Sequence, residues 1–323
     1  MRTLVDGAAH SALFYRDAAE LLAGVVPFLL DGLAEGAVVG AALPGRHLEL
    51  VRSGLGRCAE RVRLFDMAEV GRNPGRILAE VIGSVVDSRP DAPARIVDEP
   101  LWAGRSEREY PACVQHEALV NLAVAGRPVF VLCPYDAHLP PAVLDDVAAT
   151  HPCLVQDGVA RRSTTYAPAT AVSRTAGPLP EPPVAAVFAF DAPRLAAARR
   201  FVRGEGAAAG LDAERVFDLV LAAGELAANS IRHGGGRGTV RVWTEGDTDG
   251  GTASVTGAPP DGRDLLVVEV ADAGRLDDPL AGRRPAPPHQ LGGRGLLMVH
   301  HLADLVRTTT GPGGTTTRTY WRR

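Results

Sequence analysis

Lysine is absent from this chain of 323 residues, so each of its 34 strongly basic side chains is an arginine. A Walker-type phosphate loop needs a lysine ammonium at the phosphates, and no working loop of that kind can exist here. Cysteine is scarce and scattered. Cys58, Cys113, Cys133 and Cys153 all lie in the first half with no Cys-x-x-Cys spacing, which reads as buried, reduced thiols. Long apolar runs are missing too: each is broken by Asp, Glu, Arg or Gly well before membrane-spanning length. The first residues carry no basic-then-apolar signal pattern, so the expectation is a cytoplasmic protein with no membrane segment. A net charge of −4 gives no argument for a nucleic-acid partner, while 46% apolar residues over this length suffice for two soluble domains with separate cores. No internal repeat is evident.

What the sequence does contain is concentrated in three segments near its C-terminal end. Between Asp212 and His233, Val216, Leu219, Val220, Ala223, Leu226, Ala227 and Ile231 recur at helical spacing, and this leaves Glu225 and Asn229 four apart on one edge. An amide carbonyl there can ligate Mg²⁺ while the acid one turn away accepts a proton or orients water. Taken alone, such a pair is an ordinary solvated helix edge. The apolar strand Leu265 to Ala271 then delivers Asp272, whose carboxylate can accept a hydrogen bond from the exocyclic amine of adenine, while Gly274 lets backbone pass close to a flat base. Taken alone, this is a common Asp-Ala-Gly turn. Third, Gly292, Gly293, Arg294, Gly295, Leu296 and Leu297 run into a helix expected over Gly293 to Ala303, whose free N–H groups and positive dipole end can receive phosphates.

In this order the three resemble the ATP site of the gyrase, histidine-kinase and MutL-type ATPase superfamily. Glu225 to His233 is similar to its N-box, Asp272-Ala273-Gly274 to its first glycine box and Gly292 to Leu297 to its second. The likeness extends to the anti-sigma-factor serine kinases, whose compact domain starts with a strand and helix like Val184 to Asp191 and Pro193 to Arg203. It covers residues 184–323, to a last strand at Thr315 to Trp321. The resemblance implies a two-layer α/β (Bergerat) fold, ATP and Mg²⁺ as ligands, Glu225 as general base, Asn229 on Mg²⁺, Asp272 and Gly274 at adenine, and Gly293, Arg294, Gly295 and Leu296 at the phosphates. The second glycine of Asp-x-Gly-x-Gly is replaced by Leu276, which weakens the adenine side. Arg275 to Leu291 would form a mobile lid.

Upstream, short apolar runs at Ala37 to Leu43, Val62 to Phe65, Arg95 to Val97 and Val129 to Cys133 alternate with helical stretches at Ala18 to Leu33, Arg76 to Val86 and Ala112 to Ala125. That alternation predicts a mostly parallel sheet covered on both faces over residues 1–160, followed by a Pro/Ala/Thr-rich linker at 161–183. His10 to Tyr15, Pro27-Phe28 with Gly32-Leu33 and Gly36, and Cys133-Pro134-Tyr135-Asp136 ahead of Thr150-His151-Pro152 resemble the methanogen/methylotroph DcmR-type sensory (MEDS) domain. The resemblance implies a RecA/KaiC-like fold with a degenerate phosphate loop at Val38 to His47, and a role in sensing an unidentified small molecule or protein. His10, Tyr15, Tyr135, Asp136 and His151 are its candidate site residues, each weighed against an ordinary hydrogen bond to a loop carbonyl. His116-Glu117 lacks the second histidine of a zinc-protease helix, Val120 standing there, and also lacks the dimerisation hairpin of a histidine kinase. Both residues read as ordinary helix groups.

Together the resemblances imply an ATP-dependent serine/threonine kinase of the anti-sigma type under a fused sensory domain, controlling transcription by partner switching. Its partners would be an anti-anti-sigma protein and a sigma factor, and the family allows a homodimer. A nucleotide-binding regulator without transfer activity is the alternative from a different class, and a histidine kinase is the third.

Overall fold

The computed structural model describes residues 9–102, 105–175, 179–182, 184–246, 264–284 and 293–323. The chain divides into two compact units near residue 175.

In the first unit strands and helices alternate as β1 (His10–Tyr15), α1 (Ala18–Ala34), β2 (Val38–Leu43), α2 (Gly45–Leu55) and β3 (Arg63–Asp66). Short helical turns α3 (Met67–Val70), α4 (Pro74–Ile77) and α5 (Ser84–Val86) precede β4 (Ala94–Asp98), α6 (Tyr110–Ala123), β5 (Val129–Asp136), α7 (Pro141–Thr150), β6 (Cys153–Gln156), β7 (Val159–Arg162) and α8 (Pro168–Thr175). The sheet order is β3-β2-β4-β5-β1-β6-β7, with parallel pairing everywhere except β7 on β6. The inner strands are apolar on both faces, as a parallel sheet buried between helices requires. Leu13, Val39, Leu43, Leu132 and Val155 pack with Leu21, Val25, Leu48 and Val51 of α1 and α2. On the opposite face Ala42 meets Met67, Ile77 and Val81, and Val114, Ala149 and Ala171 knit α6, α7 and α8. Asp17 sets the start of α1, its carboxylate accepting from the N–H groups of Ala19 and Glu20.

Two sequence expectations change. The helix expected over Arg76 to Val86 is broken by a π-helical stretch, Leu78–Gly83. A Cβ at Gly83 would stand 3.1 Å from the Leu78 carbonyl, so the bare glycine gives that wider turn room. The linker expected from residue 161 carries the end of β7 and all of α8. Ala171 is completely buried, and the Arg174 guanidinium pairs with Asp146. A helix with a single buried apolar residue leaves no periodic signal.

The second unit runs β8 (Ala186–Asp191), α9 (Leu195–Ala208), α10 (Ala213–His233), β9 (Arg237–Glu245), β10 (Leu265–Asp272), α11 (Gly295–Leu302), β11 (Leu305–Gly311) and β12 (Gly314–Arg322). Its sheet, β11-β12-β10-β9-β8, is wholly antiparallel. Alternate residues Val240, Val242, Leu266, Val268, Val270 and Trp321 join Val202, Leu219, Ala223, Leu226 and Val299 of the three helices in one core. This gives the expected two layers. On the other face Glu269 lies buried against Arg318 at 2.6 Å, and Arg318 also donates to the carbonyl of Pro180. Of the loop expected between Glu245 and Asp264, residues 247–263 lie outside the described residues, as do Gly292 and residues 285–291 of the expected lid.

Candidate functional site

The Asp212 carboxylate starts α10 by accepting from the Arg215 N–H, and the apolar stripe of this 21-residue helix is spent on the core. Glu225 and Asn229 are left half-buried on its edge, as the spacing predicts. Glu225 reaches the beginning of α11: a Cβ added at Gly295 would meet its Oε2 at 2.4 Å. Only glycine lets that carboxylate sit against the helix start. Asn229 Oδ1 accepts from Arg232 Nη2 at 2.8 Å, so one of its two acceptor sites is in use and one remains for a cation.

Asp272 closes β10 in a fixed orientation. Its Oδ2 accepts from the Ser230 hydroxyl at 2.6 Å and its Oδ1 from the Gly274 N–H at 2.8 Å. Ser230 belongs to the same turn of α10 as Asn229, and nothing in its spacing singles it out. Glycines crowd this corner. A Cβ at Gly234 would meet Asp272 Cγ at 2.4 Å, and one at Gly274 would meet the His233 carbonyl at 2.5 Å. The N-box helix end and the first glycine box are therefore in backbone contact, and Ala273 N–H donates to the Gly234 carbonyl at 3.3 Å. Two hydrogen bonds leave acceptor capacity on the Asp272 carboxylate for an amine. Leu276, which stands where the resembled first glycine box has its second glycine, donates its N–H to Thr310 Oγ1 at 3.2 Å, which ties the following segment to β11.

Gly293 has φ +81°, the left-handed conformation that favours glycine, and Arg294 follows as the N-cap residue of α11 without a side-chain cap. Its first N–H groups, at Gly295, Leu296 and Leu297, have no partner within the helix. Across this entrance Gly282 lies so close that a Cβ would stand 2.5 Å from Leu296 Cβ. A helix edge bearing Asn and Glu, an anchored carboxylate and a glycine-flanked helix start fit a nucleotide with its cation.

In the first unit the five candidates separate into two groups. Tyr15 closes β1 and donates to Glu99 Oε1 at 2.9 Å, and the same buried carboxylate receives His47 Nδ1 at 2.9 Å. Asp136 is on the rim at the end of β5, accepting from the His138 N–H at 2.8 Å. His10, Tyr135 and His151 instead surround Glu117 of α6. His10 Nε2 lies 3.0 Å from Glu117 Oε2, His151 Nε2 lies 3.3 Å from the same oxygen, and the Tyr135 hydroxyl donates to Oε1. Cys133 Sγ stands 3.3 Å from His10 Nε2 and 3.6 Å from Glu117 Oε2. All are buried. Burial, with His151 alongside, pushes His10 down to about 4. Glu117, read from the sequence as an ordinary helix group, is thus the centre of a polar cluster. Its neighbour His116 is fully buried, with Nε2 2.8 Å from Asp98 Oδ2.

No helix among the described residues is long and apolar enough to cross a membrane. Residues 188–321 match the family model of the histidine kinase-like ATPase domain, and residues 9–152 match that of the methanogen/methylotroph, DcmR sensory domain. No curated protein matches the chain. Among solved structures, the RsbU and RsbW domains of a Mycobacterium tuberculosis protein align at 21% identity with a TM-score of 0.28. That alignment covers 44% of this chain and 33% of the other, a likeness too slight to carry an argument. On the strength of the two family models, residues 9–152 are a DcmR-type (MEDS) sensory domain and residues 188–321 a histidine kinase-like ATPase domain.

Proposed function

We propose that the chain is an ATP-dependent protein kinase of the anti-sigma type, transferring phosphate to a serine or threonine of an anti-anti-sigma partner under control of its sensory domain. The observation that supports this most directly is the carboxylate of Glu225 held against the Gly295 end of α11, one turn from Asn229. In phosphoryl transfer the protein mainly aligns groups and offsets charge. Mg²⁺ bound with the nucleotide would supply charge neutralisation at the phosphates. Asn229 Oδ1 would hold that ion, and Arg232 would release the amide oxygen or share it. Asp272, oriented by Ser230 and Gly274, would accept from the adenine amine. The N–H groups of Gly295 and Leu296 and the Arg294 guanidinium would receive phosphate oxygens. Glu225 would accept the hydrogen bond of the acceptor hydroxyl and take its proton as the oxygen bonds to the γ-phosphorus and ADP leaves. A carboxylate is a far weaker base than the alkoxide it would have to generate, so orientation is the larger part of its role.

A second reading, nucleotide binding and partner capture without transfer, is favoured by Leu276 in the first glycine box and by Arg232 on Asn229. A histidine kinase using His116 has no support from its complete burial beside Asp98. The test is calorimetric ATP binding to the full chain with and without Mg²⁺, paired with transfer to candidate partners. The kinase reading expects micromolar, Mg²⁺-dependent binding lost in Asn229→Ala/Asp272→Ala, and transfer lost in Glu225→Ala while binding survives. Binding without transfer to any candidate favours the second reading, and a folded chain that binds no nucleotide ends both.

A further inference from the structure

The cluster around Glu117 has a hydrogen-bond pattern that a polar core does not explain. His151 Nδ1 lies 2.8 Å from the carbonyl of Val147, which can only accept, so the proton of the neutral ring is on Nδ1 and Nε2 presents a lone pair. That Nε2 makes no hydrogen bond although the ring is completely buried, and it lies 3.3 Å from Glu117 Oε2, another acceptor. His10 adopts the same tautomer, although its Nε2 has Cys133 Sγ as a hydrogen-bond partner. Asn121 Nδ2 donates to the carbonyls of Glu117, Ala118 and Thr150, which leaves Asn121 Oδ1 to accept from His10 Nδ1 at 3.2 Å. His10 Nε2 therefore also turns a lone pair toward Glu117 Oε2, at 3.0 Å, and toward Cys133 Sγ, at 3.3 Å. Two imidazole lone pairs, a carboxylate oxygen and a sulfur converge from β1, α6, β5 and the α7–β6 junction. All four donor atoms lie within 4.8 Å of one another.

We infer that His10, Glu117, Cys133 and His151 bind one divalent transition-metal ion of the Zn²⁺ class. Metal–nitrogen bonds of about 2.0–2.1 Å and metal–sulfur bonds of about 2.3 Å give a tetrahedron whose edges are about 3.3–3.6 Å. Four of the six separations run from 3.0 to 3.6 Å and all six lie within 4.8 Å, so an ion at the centre requires only small shifts of the donors. Charge balances as well: a thiolate and a carboxylate neutralise the dication, and both imidazoles are neutral, which is what a buried site needs. Three of the four ligands are oriented through their other polar atom, His10 by Asn121, His151 by Val147 and Glu117 by the Tyr135 hydroxyl, as is usual around bound metals. A small cavity lined by Cys113, Glu117, Tyr135, Asp146 and Val147 adjoins Glu117. Four protein ligands leave no open position, so the ion is held or sensed and does not activate water. This site is independent of the nucleotide reading.

The test uses the untagged full chain, stripped of metal and titrated with Co²⁺. The expected result is saturation at one equivalent, with visible bands of tetrahedral Co²⁺ and a thiolate-to-cobalt charge-transfer band in the near ultraviolet, both displaced by Zn²⁺. Cys133→Ser removes the charge-transfer band, whereas His138→Gln, at an exposed histidine, leaves the spectrum unchanged. If Cys133→Ser does not fold, wild type decides alone through its stoichiometry, its spectrum and a Zn²⁺-dependent rise in melting temperature. A folded, metal-free wild type that shows neither bands nor a melting shift overturns the assignment. So does a charge-transfer band that persists in folded Cys133→Ser.

Discussion

Replacing Gly295 by alanine separates what the Glu225 carboxylate does from what holds the fold. The added Cβ would meet Oε2 at 2.4 Å, Cδ at 3.3 Å and Cβ of Glu225 at 3.6 Å, and ordinary contact begins at 3.4 Å. The carboxylate end must therefore retreat by about 1 Å, which a flexible side chain does at little energetic cost. Gly295 opens α11 without a positive φ, so alanine fits the backbone there, and its helix preference over glycine is worth up to about 1 kcal/mol. Stability should hold or rise slightly. Misplacing an aligned catalytic group by about 1 Å costs on the order of 10²-fold in rate. The assay is ADP release from Mg²⁺-ATP, with the nucleotide Kd measured in parallel by calorimetry and folding by thermal melting. The expected outcome is a folded protein with a nucleotide Kd much less affected than its rate, which falls about 10²-fold, close to that of Glu225→Ala. A folded Gly295→Ala protein that releases ADP as fast as wild type would show that the position of Glu225 is immaterial and would remove it from the chemistry.

Ser230→Ala takes the hydroxyl donor from Asp272 Oδ2 while the Gly274 N–H remains, and hydrogen bonds to charged groups are worth about 1.5–3 kcal/mol, so ATP should bind roughly tenfold more weakly at unchanged fold. An unaltered Kd by calorimetry contradicts the role given to Asp272. Arg318→Met strands the buried Glu269 with Arg241 alone, at 3.3 Å, and should cost about 3 kcal/mol in urea unfolding. The double change Arg318→Met/Glu269→Leu should recover most of it, and equal losses in both would refute the pairing argument. The Glu99 carboxylate, hydrogen-bonded to His47, raises that imidazole above 6.5, so the folded state holds this proton more tightly than the unfolded chain does. The stabilisation carried by the His47 proton is thus complete below 6.5 and is lost as pH rises through the raised value, while burial raises the Glu99 carboxyl, whose protonation opposes the pair only at the acid end; His47→Gln should flatten the melting temperature over the His47 window.

The candidate nucleotide site could be laid out from the sequence because each of its parts is local. Glu225 and Asn229 share one helix edge by spacing alone, Asp272 ends an unmistakable strand, and Gly293 to Leu296 lead into a helix whose start can be read from its glycines. What the sequence hid there was the coupling between parts. Ser230 reaches Asp272 across 42 residues, and Gly234 is bare because Asp272 leans on it. The residue type explains these only once the contact is known. In the first unit the strand–helix alternation indicated a parallel sheet, yet a break at Leu78–Gly83 and a helix buried through Ala171 alone carry no period to detect.

The cluster at Glu117 marks where reading by motif stops. Its donors come from four parts of the fold, and the contacting pairs are separated by as few as 16 and as many as 141 residues. No spacing rule covers such a set, because strand order decides which donors meet. β1 is inserted between β5 and β6, the register sets Ala12 beside Cys133 and Ser11 beside Cys153, and His10 and His151 consequently meet as tilted rings with centroids 4.0 Å apart. A cysteine that reads as an inert buried thiol on composition becomes a candidate ligand only when that order brings two imidazole lone pairs and a carboxylate to its sulfur. The chemistry of the first unit therefore resides in its topology, whereas that of the second resides in its segments. If Asn121→Ala left His10 free to turn, the first unit would lose Co²⁺ affinity by roughly 10–100-fold while ATP binding by the second stayed as it was. Unchanged Co²⁺ affinity in that variant would mean that the orientation of His10 is set by packing and not by its amide partner.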